Sequence, residues 1–139
     1  MSLQLTKEQK LVQTMIREFS RKVLAATAAE RDQTKEFPAE NLQKMAELGL
    51  MGMTVPEEYN GEGADAVSYV LALCEVAKSC ASTAVIMSVH NSIVCESIAR
   101  FGTDEQKEKF LIPLADAEII GAFALTEPDA GSDPVAQES

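Results

Sequence analysis

The sequence contains no tryptophan, only one histidine and no CxxC pair. Because aromatic residues make up only 5% of the chain, any core must be built from Leu, Val, Ile, Met and Ala. One histidine, His90, and three separated cysteines, Cys74, Cys80 and Cys95, form no recognisable set of metal ligands, so the sequence predicts no metal site. The odd number of cysteines favours buried free thiols in a reducing compartment.

Long apolar runs and a positive net charge are also lacking. No stretch reaches the roughly 18 apolar residues of a membrane span, and the N-terminus lacks the basic and then apolar segment of a signal peptide. With 22 acidic and 12 basic residues, the formal net charge is -10, which argues against nucleic acids and anionic membranes as partners. The sequence therefore predicts a cytoplasmic protein with one sizeable core.

The first predicted helix begins at a capping box formed by Thr6 and Gln9, whose side chains satisfy each other's backbone N–H groups. Its basic residues are expected on a solvated face: Arg17, Arg21 and Lys22. Its apolar residues recur at helical spacing and form a core face: Leu11, Val12, Met15, Ile16, Phe19, Val23 and Leu24. A second helix is predicted from Pro38, with its end at Gly49.

The third and fourth helices, predicted at about 65–78 and 82–100, are apolar around most of their circumference and are expected to form the central pair. A second capping box at 103–106 opens a short fifth helix, which Pro113 should kink or end. The apolar run 119–125 predicts the start of a β-strand. The predicted fold is therefore all-α, a bundle of about five helices that ends in the start of a β-strand.

A distinctive stretch, AFALTEPDAGSD, occupies residues 122–133. Gly131 lets the backbone approach a ligand closely, successive N–H groups in such a turn can bind an anion, and the Thr126 hydroxyl can face a ring edge. A plain strand-to-loop transition would also explain the pattern. However, FALTEPDAGSD resembles the signature of the flavin-dependent acyl-CoA dehydrogenases. The segments GLMGMTVPEEYNGEGAD, SVHNSI and FGTDEQKEKFLIPLA resemble further parts of that family in the same order.

The resemblance covers essentially the whole chain and implies FAD as the cofactor. By resemblance, Phe123 would lie against the isoalloxazine, and the Leu125 backbone N–H would face the pyrimidine edge of the flavin. Thr126 would hydrogen-bond the ring system. Gly131 and Ser132 would line the passage where flavin and CoA meet, and Ser132 would touch both.

The Val-His-Asn-Ser stretch and Phe123 look most like the short-chain, butyryl-type branch of the family. In the family this part of the fourth helix lines the cavity for the acyl tail, so Met87, Val89 and Asn91 are candidates for sensing chain length. His90 is interpreted as a satisfied, partly buried histidine. The resemblance also implies a division into a helical N-terminal domain, 1–117, and the first strand and flavin-binding loop of a truncated middle β-domain, 118–139.

The family reaction oxidises an acyl-CoA to a trans-2-enoyl-CoA, and an electron-transfer flavoprotein usually collects the electrons. The family's catalytic glutamate lies in a C-terminal helical domain that is expected to be absent here, so no residue is assigned as catalytic and the isolated chain is expected to be inactive. Residues 110–139 hold six acidic and no basic residues, so charges for the cofactor and CoA phosphates must come from elsewhere. The full-length protein is expected to be a homo-oligomer. The alternative is a non-catalytic helical binding or structural module.

Overall fold

The computed structural model describes residues 4–138. Two π-helical segments, Ser20–Leu24 and Val89–Cys95, join α-helices without a break, so the helices form five continuous rods. This confirms the predicted all-α class and number of helices. The α-helices of this part of the chain are α1 (Lys7–Phe19), α2 (Ala25–Thr34), α3 (Ala39–Ala46), α4 (Ala66–Ser79), α5 (Ala81–Ser88), α6 (Glu96–Phe101) and α7 (Asp104–Ala115).

The helix starts follow the local capping chemistry. At the start of α1 the Thr6 hydroxyl accepts a hydrogen bond from the Gln9 backbone N–H at 3.1 Å, and the Gln9 side chain accepts one from the Thr6 N–H at 3.0 Å. The same reciprocal pair, Thr103 and Gln106, opens α7. Asp65 caps α4 through hydrogen bonds that its carboxylate accepts from the next turn. Both predicted capping boxes are therefore confirmed.

The first rod continues beyond the predicted apolar stripe. The stripe ends at Leu24, but helix continues to Thr34 and stops at Lys35, which adopts a left-handed conformation with φ 60°. The α2 sequence AATAAERDQT is rich in strong helix formers and has no buried residue. Helix propensity, rather than burial of an apolar face, therefore extends this rod.

The core is built from aliphatic and methionine side chains, as predicted. α4 lies between α1 and α5 and contacts both. The larger buried cluster comprises Ile16, Leu24, Leu42, Met45, Leu50, Met51, Met53, Ala72, Val76, Ala84, Met87 and Ala117. A smaller cluster packs under α7 and comprises Val55, Cys95, Leu111, Leu114 and Ala115.

Although their sequences are apolar around most of the helix circumference, α4 and α5 are not buried on most sides in this chain. Val70 on α4 is 53% exposed and Val85 on α5 is 61% exposed, and Leu11 on α1 is 70% exposed. The apolar pattern is wider than the face that α4 and α5 bury against their neighbours. Apolar side chains therefore remain at the surface of this part of the chain.

Arg17 also differs from the prediction of a solvated basic face. Arg21 and Lys22 are exposed, but the Arg17 guanidinium reaches Glu75 on α4, with Nη2 3.0 Å from a carboxylate oxygen. The Glu75 side chain is only 2% exposed. A buried carboxylate needs a charged partner, so Arg17 is drawn from the solvated face into an ion pair between helices.

The predicted strand is not formed. Residues 119–126 have no regular secondary structure, and the pairing in that region is an isolated bridge between Glu127 and Ala130. A strand requires a neighbouring strand for its backbone hydrogen bonds, and residues 4–138 contain none. Pro113 did not end α7, which continues to Ala115 because only one hydrogen bond, near the helix end, is lost. No helix in the described region is long and apolar enough to cross a membrane.

Candidate functional site

The segment predicted to contact a flavin lies on the surface after α7. Phe123 is 55% exposed and Leu125 is 43% exposed, and the side chain of Thr126 is exposed next to them. Ile119 and Ile120, just before them, are also more than one-third exposed. Several large apolar side chains on one exposed segment are typical of a surface that another molecule covers.

The turn after this segment is shaped by its own backbone. Glu127 and Ala130 exchange hydrogen bonds, with N to O distances of 2.9 and 3.3 Å, and Ala130 is buried. Gly131 and Ser132 follow on the exposed side. Gly131 does not adopt a positive φ, and a Cβ placed there would meet only the Thr126 methyl group at 3.9 Å. Neither the backbone conformation nor the packing of this chain therefore requires a glycine at position 131.

His90 fixes the beginning of the segment. Its Nδ1 accepts a hydrogen bond from the Gly121 backbone N–H at 3.0 Å, and its Nε2 lies 3.0 Å from the carbonyl oxygen of Leu114. Because a backbone N–H can only donate, Nδ1 is unprotonated and Nε2 carries the proton. Burial lowers the pKa of His90, although the hydrogen bond to Leu114 opposes this, so the ring is neutral. The interpretation as a satisfied histidine is confirmed, and burial is complete rather than partial.

Asn91 holds a different loop. Its Nδ2 donates to the carbonyl oxygens of Leu50 and Met87 at 3.0 and 3.1 Å, and its Oδ1 accepts from the Thr54 N–H at 3.3 Å. The Thr54 hydroxyl donates in turn to the backbone carbonyl of Asn91 at 3.2 Å. Sequence analysis missed this role, although an asparagine within an apolar helix indicates a side chain that must be satisfied internally.

The three candidates for sensing chain length therefore lie at or beside the π-helical segment Val89–Cys95. Met87 and Asn91 are fully buried, Met87 in the larger core cluster and Asn91 in the hydrogen bonds above. Val89 is half-buried. Their contact with an acyl tail stays a prediction.

The charge and donor pattern limits what this site can bind. The nearest basic residue in sequence before the segment is Lys109. The turn that follows the segment carries three acidic residues, Glu127, Asp129 and Asp133. Within residues 4–138 no three histidine, cysteine or acidic side chains are placed to hold a metal ion. Residues 110–139 can thus offer apolar contacts, hydroxyl groups and backbone N–H groups to a ring, but no basic side chain to a phosphate.

Comparison with known proteins identifies the family. Residues 6–118 match the family described as acyl-CoA dehydrogenase, N-terminal domain. The chain belongs to the acyl-CoA dehydrogenase family. It is 48% identical over 139 residues to the short-chain specific acyl-CoA dehydrogenase of Clostridium acetobutylicum, covering 100% of this chain and 37% of that protein.

Solved structures agree. The fold is similar to butyryl-CoA dehydrogenase from Megasphaera elsdenii, with TM-score 0.91 and 39% identity over 99% of this chain and 37% of that one. It is also similar to a glutaryl-CoA dehydrogenase from Mycobacterium smegmatis in complex with FADH2, with TM-score 0.90 and 32% identity over 96% of this chain and 34% of that one. The chain thus spans about a third of the length of the relatives that it matches.

Proposed function

We propose that the chain forms the N-terminal part of an FAD-dependent acyl-CoA dehydrogenase that oxidises a short-chain acyl-CoA to the trans-2-enoyl-CoA. The observation that carries this proposal is the exposed apolar segment 122–126, which follows the anchored Gly121 and ends at the exposed side chain of Thr126. The short-chain relatives and the match to the family support the reaction class. We also propose the division into a helical domain, 1–117, and the start of a β-domain, 118–139.

The residues of the segment suit the ring of a flavin. Phe123 offers an exposed aromatic face, and the exposed Leu125 is the residue proposed to present its backbone N–H to a polar ring edge. The Thr126 side chain is exposed at the end of the segment and can donate a hydrogen bond to the same ring. A flavin bound there would accept the β-hydride of the substrate. These residues would orient the flavin and tune its electron affinity.

The turn suits a junction between two ligands. Gly131 leaves open space beside Thr126, and the exposed Ser132 hydroxyl can serve both cofactor and substrate as donor or acceptor. The acidic surroundings fit neither the pyrophosphate of FAD nor the phosphates of CoA, so cationic contacts come from outside residues 110–139. No residue of the described chain is proposed as the catalytic base, and the chain alone is proposed to be inactive.

The remaining assignments concern substrate and partners. We propose that Met87, Val89 and Asn91 border the end of the acyl-tail cavity, where the buried Met87 limits chain length. An electron-transfer flavoprotein is the proposed acceptor, and a homo-oligomer is the proposed state of the full-length protein. Three free cysteines are consistent with a reducing compartment such as the cytoplasm.

Thr126→Val in the enzyme that carries this chain tests the proposal, because it keeps the shape and removes the hydroxyl. A hydrogen bond to a ring that gains negative charge contributes about 1.5–3 kcal/mol, so flavin reduction by butyryl-CoA should slow by about tenfold to a hundredfold. Binding of butyryl-CoA should change less. Ser132→Ala should weaken both FAD and CoA binding mildly. Stopped-flow absorbance of the flavin measures reduction.

Thr14→Val is the matched control, since Thr14 is an exposed threonine on α1 whose hydroxyl only bonds its own helix. If Thr126→Val and Thr14→Val both reduce the flavin at the wild-type rate, Thr126 does not contact the ring. Thr126 would then be a packing residue at the end of the segment.

A further inference from the structure

One buried side chain connects the helical bundle to the exposed segment. His90 lies in the π-helical segment Val89–Cys95 with no solvent exposure, and its two ring nitrogens contact backbone atoms of two different regions. Nε2 donates to the Leu114 carbonyl near the end of α7, and Nδ1 accepts from the Gly121 N–H. The ring thus spans the turn between α7 and the segment.

Packing fixes the same point independently. A Cβ placed on Gly121 would lie 2.6 Å from Cγ1 of Val94, which belongs to the same π-helical segment as His90. The backbone of Gly121 therefore lies so close to the π-helical segment that any larger residue at this position would push the two apart. The turn before it is closed by hydrogen bonds from Ala117 N to Leu114 O and from Ile119 N to Pro113 O, at 3.0 and 3.2 Å.

Gly121 is also the last of these fixed points before the residues that are proposed to contact the ring. Phe123 follows two residues later and Thr126 five residues later, which at about 3.3 Å per fully extended residue leaves them at most roughly 7 and 17 Å from the anchor. A displacement of the Gly121 backbone would therefore be carried into every ring contact proposed for the segment.

We propose that His90 is a positioning residue for the flavin: by holding the Gly121 N–H through Nδ1, it sets where the segment 122–126 presents its ring contacts. The inference rests on the proposed function for the flavin link only. His90 itself touches neither cofactor nor substrate, because it is buried and both of its ring nitrogens are occupied by backbone groups.

The two ends of the ring allow a matched pair of variants. His90→Asn keeps an acceptor at the δ position, within reach of Gly121, and loses the ε donor. His90→Gln keeps a donor at the ε position, within reach of Leu114, and loses the δ acceptor. Each variant loses one buried hydrogen bond, so a purely structural role predicts equal effects of both.

Amide hydrogen exchange of the chain tests the anchor without any flavin. We expect the Gly121 amide to exchange about tenfold faster in His90→Gln and less than about twofold faster in His90→Asn, since only the former loses its acceptor. The amide of Val76, buried on α4, reports global stability and should be equal in the two variants. Equal acceleration of Gly121 in both variants, or acceleration that follows Val76, would overturn the inference.

FAD affinity of the full-length enzyme tests the consequence. Weaker FAD binding by about tenfold in His90→Gln, with His90→Asn near wild type, supports the positioning role. A selective exchange response with unchanged FAD affinity overturns it, and Thr126→Val then decides separately whether the segment contacts the flavin at all.

If neither His90 variant folds, Gly121→Ala provides the test, because the added methyl group displaces the backbone from Val94 and leaves His90 intact. FAD binding should weaken by about tenfold and recover when Val94→Ala restores the space. Weakened binding that does not recover in the double variant, or unchanged binding in Gly121→Ala, counts against the anchor.

Discussion

Replacing Glu75 by glutamine should destabilise the helical bundle more than any substitution of an exposed acidic residue. The Glu75 carboxylate is buried on α4 and accepts hydrogen bonds from Gln13, Arg17 and Lys78. The distances range from 2.8 to 3.2 Å, and Arg17 donates through both Nε and Nη2. Glu75→Gln keeps the size of the side chain and removes its charge. It also replaces one accepting carboxylate oxygen by an amide NH2 group, a donor that would face the donors of neighbouring side chains.

The pKa of Glu75 indicates how much folding stability the substitution should cost. Hydrogen bonding from Arg17 outweighs the opposing effect of burial and lowers this pKa from its ordinary 4.5 to about 2, with a further contribution from Lys78. Such a shift corresponds to about 3 kcal/mol of stability at neutral pH. Because the side chains of Arg17 and Lys78 are 39% and 63% exposed, solvent screens part of it, and we expect a loss of about 2 kcal/mol.

The pH dependence of folding stability distinguishes the contribution of the Glu75 charge from that of its packing. The unfolded chain takes up a proton on Glu75 near pH 4.5 and the folded chain only near pH 2, so this stability is present above 4.5 and is lost as the pH falls through 2. The difference between wild type and Glu75→Gln should therefore shrink between pH 5 and pH 2. Urea unfolding followed by circular dichroism at several pH values measures it, with Glu40→Gln, in an exposed ion pair with Lys44, as the control.

Equal unfolding midpoints of wild type and Glu75→Gln at pH 7 would refute the reasoning. So would a loss that remains constant down to pH 2, because that would assign the effect to shape rather than charge. A similar loss in Glu40→Gln would show that the assay responds to net charge alone.

Two further predictions concern buried polar groups. Asn91→Ala removes three side-chain hydrogen bonds and leaves the Leu50 carbonyl and the Thr54 N–H unsatisfied, so it should cost about 2–4 kcal/mol in urea unfolding; a loss below about 1 kcal/mol would contradict this. Native-state alkylation should label Cys80 and spare Cys95: burial raises the Cys95 pKa to about 12, whereas for Cys80 hydrogen bonds from neighbouring hydroxyls outweigh burial and lower its pKa. Labelling of Cys95 before unfolding, read by peptide mass spectrometry, would contradict the second prediction.

Local chemistry made much of the fold predictable. Capping depends on residues three apart, so Thr6 with Gln9 and Thr103 with Gln106 could be read directly and occur as predicted. The ion pair of Arg17 could not be predicted in this way, since its partner Glu75 lies 58 residues further along the chain. Helical spacing shows which side chains share a face but not which distant charge that face will meet.

The candidate site was predictable in a different sense. The candidate residues at 122–133 came from the resemblance of that stretch to a family signature, and their contact with a flavin stays a prediction. Its anchoring could not be predicted, since Gly121 and Leu114 contribute backbone atoms to His90. The strand at 119–125 failed for a related reason, because a strand is defined by a partner that lies outside the segment itself.

The π-helical segment explains how one short stretch can hold two regions. Consecutive residues on a helix point in different directions, so His90 and Asn91 reach different neighbours: the turn before Gly121 and the loop at 50–54. The wider turn also lets the Asn91 carbonyl accept both the Glu96 N–H and the Thr54 hydroxyl. Most of the partners of these two side chains are backbone atoms, so His90 and Asn91 hold the path of the chain in both regions. The start of the exposed segment after α7 is therefore held by the helical bundle, at Gly121.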